Sequence, residues 1–170
     1  MSKTKQTVTI ALLISLGLVL HLVENFFPLS AIVPGAKLGL ANIVSMLAIV
    51  LLNFPAAFQI IIFRVILASL IAGTFMTINF YLSLSGALLS FFLMYLTYRL
   101  GRNKFSLIGI SIIGAAAHNT AQIITAAFII SNSGIFYYLP FLLLLSLPTG
   151  LGVGLVSYFT LKHLPSSFRG

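Results

Sequence analysis

The chain has 170 residues, of which 60% are hydrophobic and 6% charged, and its mean hydropathy is +1.18. A water-soluble domain carries about 25% charged residues, so this composition excludes one and points to an integral membrane protein. Nine Lys and Arg against a single acid give a net charge of +8, and the absence of Cys excludes disulfides, iron–sulfur clusters and thiolate metal sites from this chain alone.

Several runs reach the roughly 20 apolar residues that a spanning helix needs, and they fill the chain so fully that one membrane domain over residues 1–170 is expected. Barrel strands alternate apolar with polar residues, whereas these runs are apolar on every face, which favours helices. Segment one runs from about Thr7 to Phe26. Lys3 and Lys5 precede it as in a signal peptide, but without a small-x-small cleavage site it reads as a retained helix. Pro28 and Pro34-Gly35 mark the loop that follows. Segment two, about Leu38 to Leu52, is short for a span, so Pro34 to Lys37 is expected to dip into the outer edge of the membrane.

Asn53-Phe54-Pro55 reads as a tight turn into segment three, about Ala56 to Ala72, which ends at Gly73. Segment four, about Phe80 to Tyr98, leads into the most basic loop, Arg99 to Lys104. Segment five runs from about Phe105 to Ile130, and Ser131 to Gly134 form a turn. Segment six, about Tyr138 to Leu161, is expected to break at Pro148, with Gly150, Gly152 and Gly154 behind it as a smooth packing surface. Phe136, Tyr137 and Tyr138 read as interfacial anchors.

The sum is an all-α bundle of six transmembrane helices. With both termini inside, Lys3, Lys5, Arg99, Arg102, Lys104, Lys162 and Arg169 share the cytoplasmic face, and Lys37 alone lies outside. That bias follows the positive-inside rule and places the termini and the basic loop in the cytoplasm; the expected location is a cell membrane, multi-pass, taken as a bacterial plasma membrane. It also accounts for the basic charge without nucleic acid.

In this topology the embedded polar residues collect at mid-depth and above, which predicts a pocket opening outward. Glu24 is the only acid, three residues after His21 and hence on the same side of the helix. An ion pair of Glu24 with Lys37 or Arg64 would pin two helices together with no ligand involved. One acid cannot neutralise both cations, however, so a cation left over would suit a carboxylate or phosphate on a bound molecule. His118-Asn119-Thr120-Ala121-Gln122 follows small residues in segment five, so its polar groups serve either interhelical hydrogen bonds or a ligand-facing wall. The candidate ligand site is therefore Lys37 and Arg64 for anionic charge, Asn42, His118, Asn119 and Gln122 for hydrogen bonds, and Glu24 and His21 for local electrostatics. Ala11 and Ser15 form a small-xxx-small pair able to dock a second membrane protein.

Absences narrow the chemistry. No Asp is present, so no paired-aspartate site exists to hold magnesium and a diphosphate, and no GxxxxGK[ST] phosphate loop exists to hydrolyse ATP. His21 and His118 lack metal-ligand spacing, and no haem or flavin fingerprint appears. A non-enzyme without a cofactor is expected, with any catalysis or energy source on another chain.

The run Pro34-Gly35-Ala36-Lys37-Leu38-Gly39-Leu40-Ala41-Asn42, the stretch RVILASLIAG from Arg64 to Gly73, Ser83-Leu84-Ser85-Gly86 and the HNTAQ beginning at His118 resemble the Gx transporter family, also labelled heptaprenyl diphosphate synthase component I. That family is similar to the substrate-capture (S) components of energy-coupling factor (ECF) transporters. The resemblance implies a six-helix protein that binds a vitamin, flavin or isoprenoid-related molecule from outside and passes it on with a coupling membrane protein and two ATPases. It further implies that Ala11 and Ser15 stand where such partners meet an alanine pair. The synthase label implies the alternative, a noncatalytic membrane accessory attached to isoprenoid or quinone synthesis or to flavin- and quinone-linked electron transfer.

Overall fold

The computed structural model describes residues 3–26, 39–101 and 104–164. Six α-helices lie among them: α1 (Lys3–Phe26), α2 (Ala41–Leu51), α3 (Phe54–Ile71), α4 (Ile78–Gly101), α5 (Leu107–Ile130) and α6 (Leu139–His163), with a 3₁₀ helix at Ser133–Tyr138 before α6. No strand occurs among the described residues. The α1, α3, α4, α5 and α6 segments are each long and apolar enough to cross a membrane, so the chain is a multi-pass helical membrane protein. Lys37, Arg102, Arg169 and the expected dip from Pro34 to Lys37 lie outside the described residues.

The helix starts follow from local chemistry. The Asn53 side chain accepts a hydrogen bond from the Ala56 N–H at 3.2 Å, and Pro55 occupies the first turn, where its missing N–H is no loss. Ser106 likewise accepts from the Gly109 N–H at 3.1 Å and begins α5. That helix ends at Ser131 in the left-handed region (φ 52°), after which the Asn132 side-chain oxygen Oδ1 accepts from the Gly134 N–H and shapes the 3₁₀ turn. Tyr137 projects from this turn almost fully exposed, as suits an interfacial anchor.

The expected break at Pro148 does not occur: α6 runs unbroken from Leu139 to His163. Proline removes the N–H that would reach the Leu144 carbonyl without ending the helix, and the nearby hydroxyls bond the flanking carbonyls. Ser146 Oγ donates to the Leu143 carbonyl and Thr149 Oγ1 to that of Leu145.

Short α2 sits at the centre and touches α1, α3, α4, α5 and α6. Every residue from Ala41 to Ile49 is buried, which is why this helix is apolar on all faces. Around it, α5 packs between α4 and α6. A Cβ built on Gly150 would stand 2.6 Å from Ile112 Cα, and one on Gly154 would stand 2.7 Å from Ile108 Cα. The two glycines, four residues apart, therefore let α6 rest directly on the α5 backbone at two positions also four apart. At one end of the bundle Phe54 and Phe58 of α3 interleave with Phe91, Phe92 and Tyr95 of α4, and the Arg99 guanidinium lies 5.8 Å from the Tyr95 ring centre.

Candidate functional site

The buried side of α1 carries Thr9, Leu13, Gly17 and Glu24. Gly17 is the position that admits α3: a Cβ there would meet Arg64 Cδ at 2.5 Å and Cγ at 3.1 Å. The aliphatic stem of Arg64 thus lies over a glycine, and its guanidinium ends in a cavity that Glu24 and His21 also line. The Glu24 carboxylate acts on the Arg64 charge and accepts the backbone N–H of Gly39, just ahead of α2. Gly39 has φ 71°, a left-handed conformation that glycine adopts freely. One carboxylate therefore faces both a guanidinium and the start of a helix, where the macrodipole also favours negative charge.

The opposite wall comes from α4 and α5. A Cβ at Gly86 would approach three atoms of the His118 ring at 2.7 to 2.9 Å, so the missing side chain on α4 is the seat of the imidazole. His118 lines the same cavity as Arg64, together with Asn42 from α2 and Ser83 from α4. Five helices thus converge on one polar space of about 40 Å³. At roughly 10–15 Å³ per water, that volume holds about three waters, or one group the size of a carboxylate or phosphate.

Rise along the helices places these groups at one level. Counted from the same end of the bundle, Arg64 lies ten residues into α3 and His118 eleven into α5, about 15 to 16 Å in each case. Both Glu24 and Arg64 are buried, and Arg64 Nε has no hydrogen-bond partner among the described residues.

The sequence-predicted residues divide. His21, Glu24, Asn42, Arg64 and His118 share the cavity. Asn119 lies in a smaller adjoining space of about 10 Å³ that Asn42, His118 and Gly39 also border. Its amide nitrogen donates to the Leu142 carbonyl at 2.9 Å and ties α5 to α6. Gln122 is buried but borders neither space. Lys37 lies outside the described residues. Ala11 and Ser15 stand on the exposed face of α1 beside Val8, Leu12 and Val19. Ser15 Oγ there donates back to the Ala11 carbonyl, which leaves the strip smooth.

Sequence reasoning missed Ser69, Thr74 and Ser83, which also border the cavity, and the seating role of Gly17 and Gly86. Isolated glycines within apolar segments were the available signal, since glycine in a helix interior costs about 1 kcal/mol relative to Ala and persists where packing requires it.

A helical membrane protein with an internal polar cavity, lined by one acid, one guanidinium and two imidazoles, is the class that fold and site define. The sequence matches the family described as Heptaprenyl diphosphate synthase component I over residues 13–160, and the chain belongs to that family. No curated protein and no solved structure matches it.

Proposed function

We propose that this protein captures a small anionic or amphipathic molecule in an outward-facing membrane pocket, in the manner of an ECF substrate-capture component. The supporting observation is the convergence of His21, Glu24, Asn42, Arg64 and His118 on one cavity, with a buried guanidinium N–H that has no hydrogen-bond partner among the described residues. Such an N–H is a charge-assisted donor for a carboxylate or phosphate oxygen. Asn42 and His118 supply neutral donors and acceptors beside it, while Glu24 holds part of the Arg64 charge and sets how much remains for the ligand. Lys37, ahead of the same helix, is assigned a second anion-balancing role. The protein itself is read as noncatalytic, because a chain without Asp and with a single Glu cannot assemble the acidic clusters that hold metal diphosphates. In this reading the basic ends are cytoplasmic, the exposed Ala11 and Ser15 strip meets a coupling membrane protein, and two ATPases supply energy.

A second reading is favoured by the family's own description, which names a synthase component. In that reading the chain is the membrane accessory of a soluble prenyl synthase or of an extracytoplasmic redox protein.

Native mass spectrometry on protein gently extracted from its own membrane tests both. The expected result is a retained small anion that disappears in R64Q, which keeps hydrogen-bond donors but removes the charge. Retention unchanged in R64Q overturns the anion assignment. Coupling ATPases in the spectrum favour capture and transport, and a co-purified synthase or redox chain favours the accessory role.

A further inference from the structure

The Arg64 cavity has room for a head group only, so the rest of any larger ligand must lie elsewhere. Between α2 and α6 runs a groove of about 410 Å³, within the volume range typical of ligand pockets. Leu40 and Ile43 form one wall, and Leu145, Pro148, Gly152 and Val156 form the other. The α6 residues recur at helical spacing along one face, so the groove follows the helix for eleven residues, about 16 Å. Pro148, Gly152 and Val156 are exposed and leave it open along one side.

Two features connect this groove to the head-group cavity and fix the chemistry of its occupant. Thr149 and Val153 border both the groove and the small space lined by Asn42 and His118, and those two residues in turn border the Arg64 cavity. The three spaces therefore adjoin in series from the side of the bundle to the buried guanidinium, each sharing lining residues with the next. Among the described residues, the only side-chain polar group in the groove lining, the Thr149 hydroxyl, donates to the Leu145 carbonyl and faces its own helix. A polar ligand portion would find no hydrogen-bonding side chain there, whereas hydrocarbon needs none.

We propose that the α2–α6 groove holds the hydrocarbon tail of a ligand whose anionic head sits beside Arg64, so that the captured molecule is an amphiphile taken laterally from the lipid. This rests on the anion-capture reading above and adds a second subsite to it. Gly152 lies in the exposed wall of that subsite: a Cβ built there meets nothing within 4 Å, so an added side chain meets open space beside the groove.

The full chain in lipid nanodiscs, titrated with inorganic phosphate and with dodecyl phosphate against empty-disc controls, provides the test. Partitioning of dodecyl phosphate into lipid is the same for every variant, so the ratio of variant to wild type reads the groove. In G152F, dodecyl phosphate binding is expected to weaken at least tenfold while inorganic phosphate binding is unchanged. V156F, at the open rim, gives the same pattern should G152F fail to fold. R64Q is expected to weaken both probes. Loss of both probes in R64Q with no effect of G152F or V156F on dodecyl phosphate leaves the head-group site standing and overturns the tail site. Absence of saturable binding of either probe to the wild type overturns the two together. A groove that instead receives a partner's helix would lose that partner in G152F while dodecyl phosphate binding stayed at the wild-type level.

Discussion

Leucine at Gly150 or Gly154 is expected to be among the most damaging changes in the bundle, lowering stability by about 3 kcal/mol at either site. Each Cβ would enter the space of a backbone Cα on α5, at Ile112 and Ile108 respectively, and a backbone cannot swing aside as a side-chain tip does. Overpacking in a well-filled interior costs about 1–3 kcal/mol when neighbours yield, and here the clash is with the least yielding kind of atom. The same substitution at Gly152, facing open space, supplies the control and is expected to stay within about 0.5 kcal/mol of wild type. Unfolding free energies in mixed micelles check the series. Equal losses at all three positions would show that helix flexibility, rather than the α5–α6 approach, sets the requirement for glycine.

Neutralising Glu24 alone is expected to cost at least as much. E24Q keeps an acceptor for the Gly39 N–H but leaves the Arg64 guanidinium buried without its counter-charge. Breaking a buried pair from one side typically costs 3–5 kcal/mol, so a loss of about that size is expected. The E24Q/R64Q double variant is expected to recover most of it, since no uncompensated charge then remains. Simple addition of the two single losses in a double-mutant cycle would mean that the pair is not coupled and that Glu24 acts only through α2.

Much of this arrangement was legible in the residues, and the illegible part has a common physical cause. Apolar length alone marks α1, α3, α4, α5 and α6, because a lipid-spanning helix must satisfy its backbone internally and present hydrocarbon outward. The scarcity of ionisable groups singles out Glu24, Arg64 and His118, since each is costly in lipid wherever it stands. What the string of residues does not carry is which helix lies opposite. Gly17 and Gly86 look alike in sequence, yet one receives the Arg64 stem and the other the His118 ring. Asn119 and Gln122 read as equivalent wall residues, but Asn119 engages the Leu142 carbonyl across the interface with α6. Pro148 misleads because a packed helix in a membrane tolerates the one ladder bond that proline removes.

The shortness of α2 has an electrical consequence. Eleven residues rise only about 16 Å, roughly half of a hydrocarbon core about 30 Å thick, so the first turn of this helix ends well inside the membrane. Asn42 and Gly39 at the start of this helix border the polar cavity. A charge moved through the whole of a 100 mV potential does about 2.3 kcal/mol of work, so one carried halfway does about 1 kcal/mol. Under the proposed capture role, occupancy of this cavity by a charged molecule depends on the voltage across the membrane as well as on the concentration of that molecule.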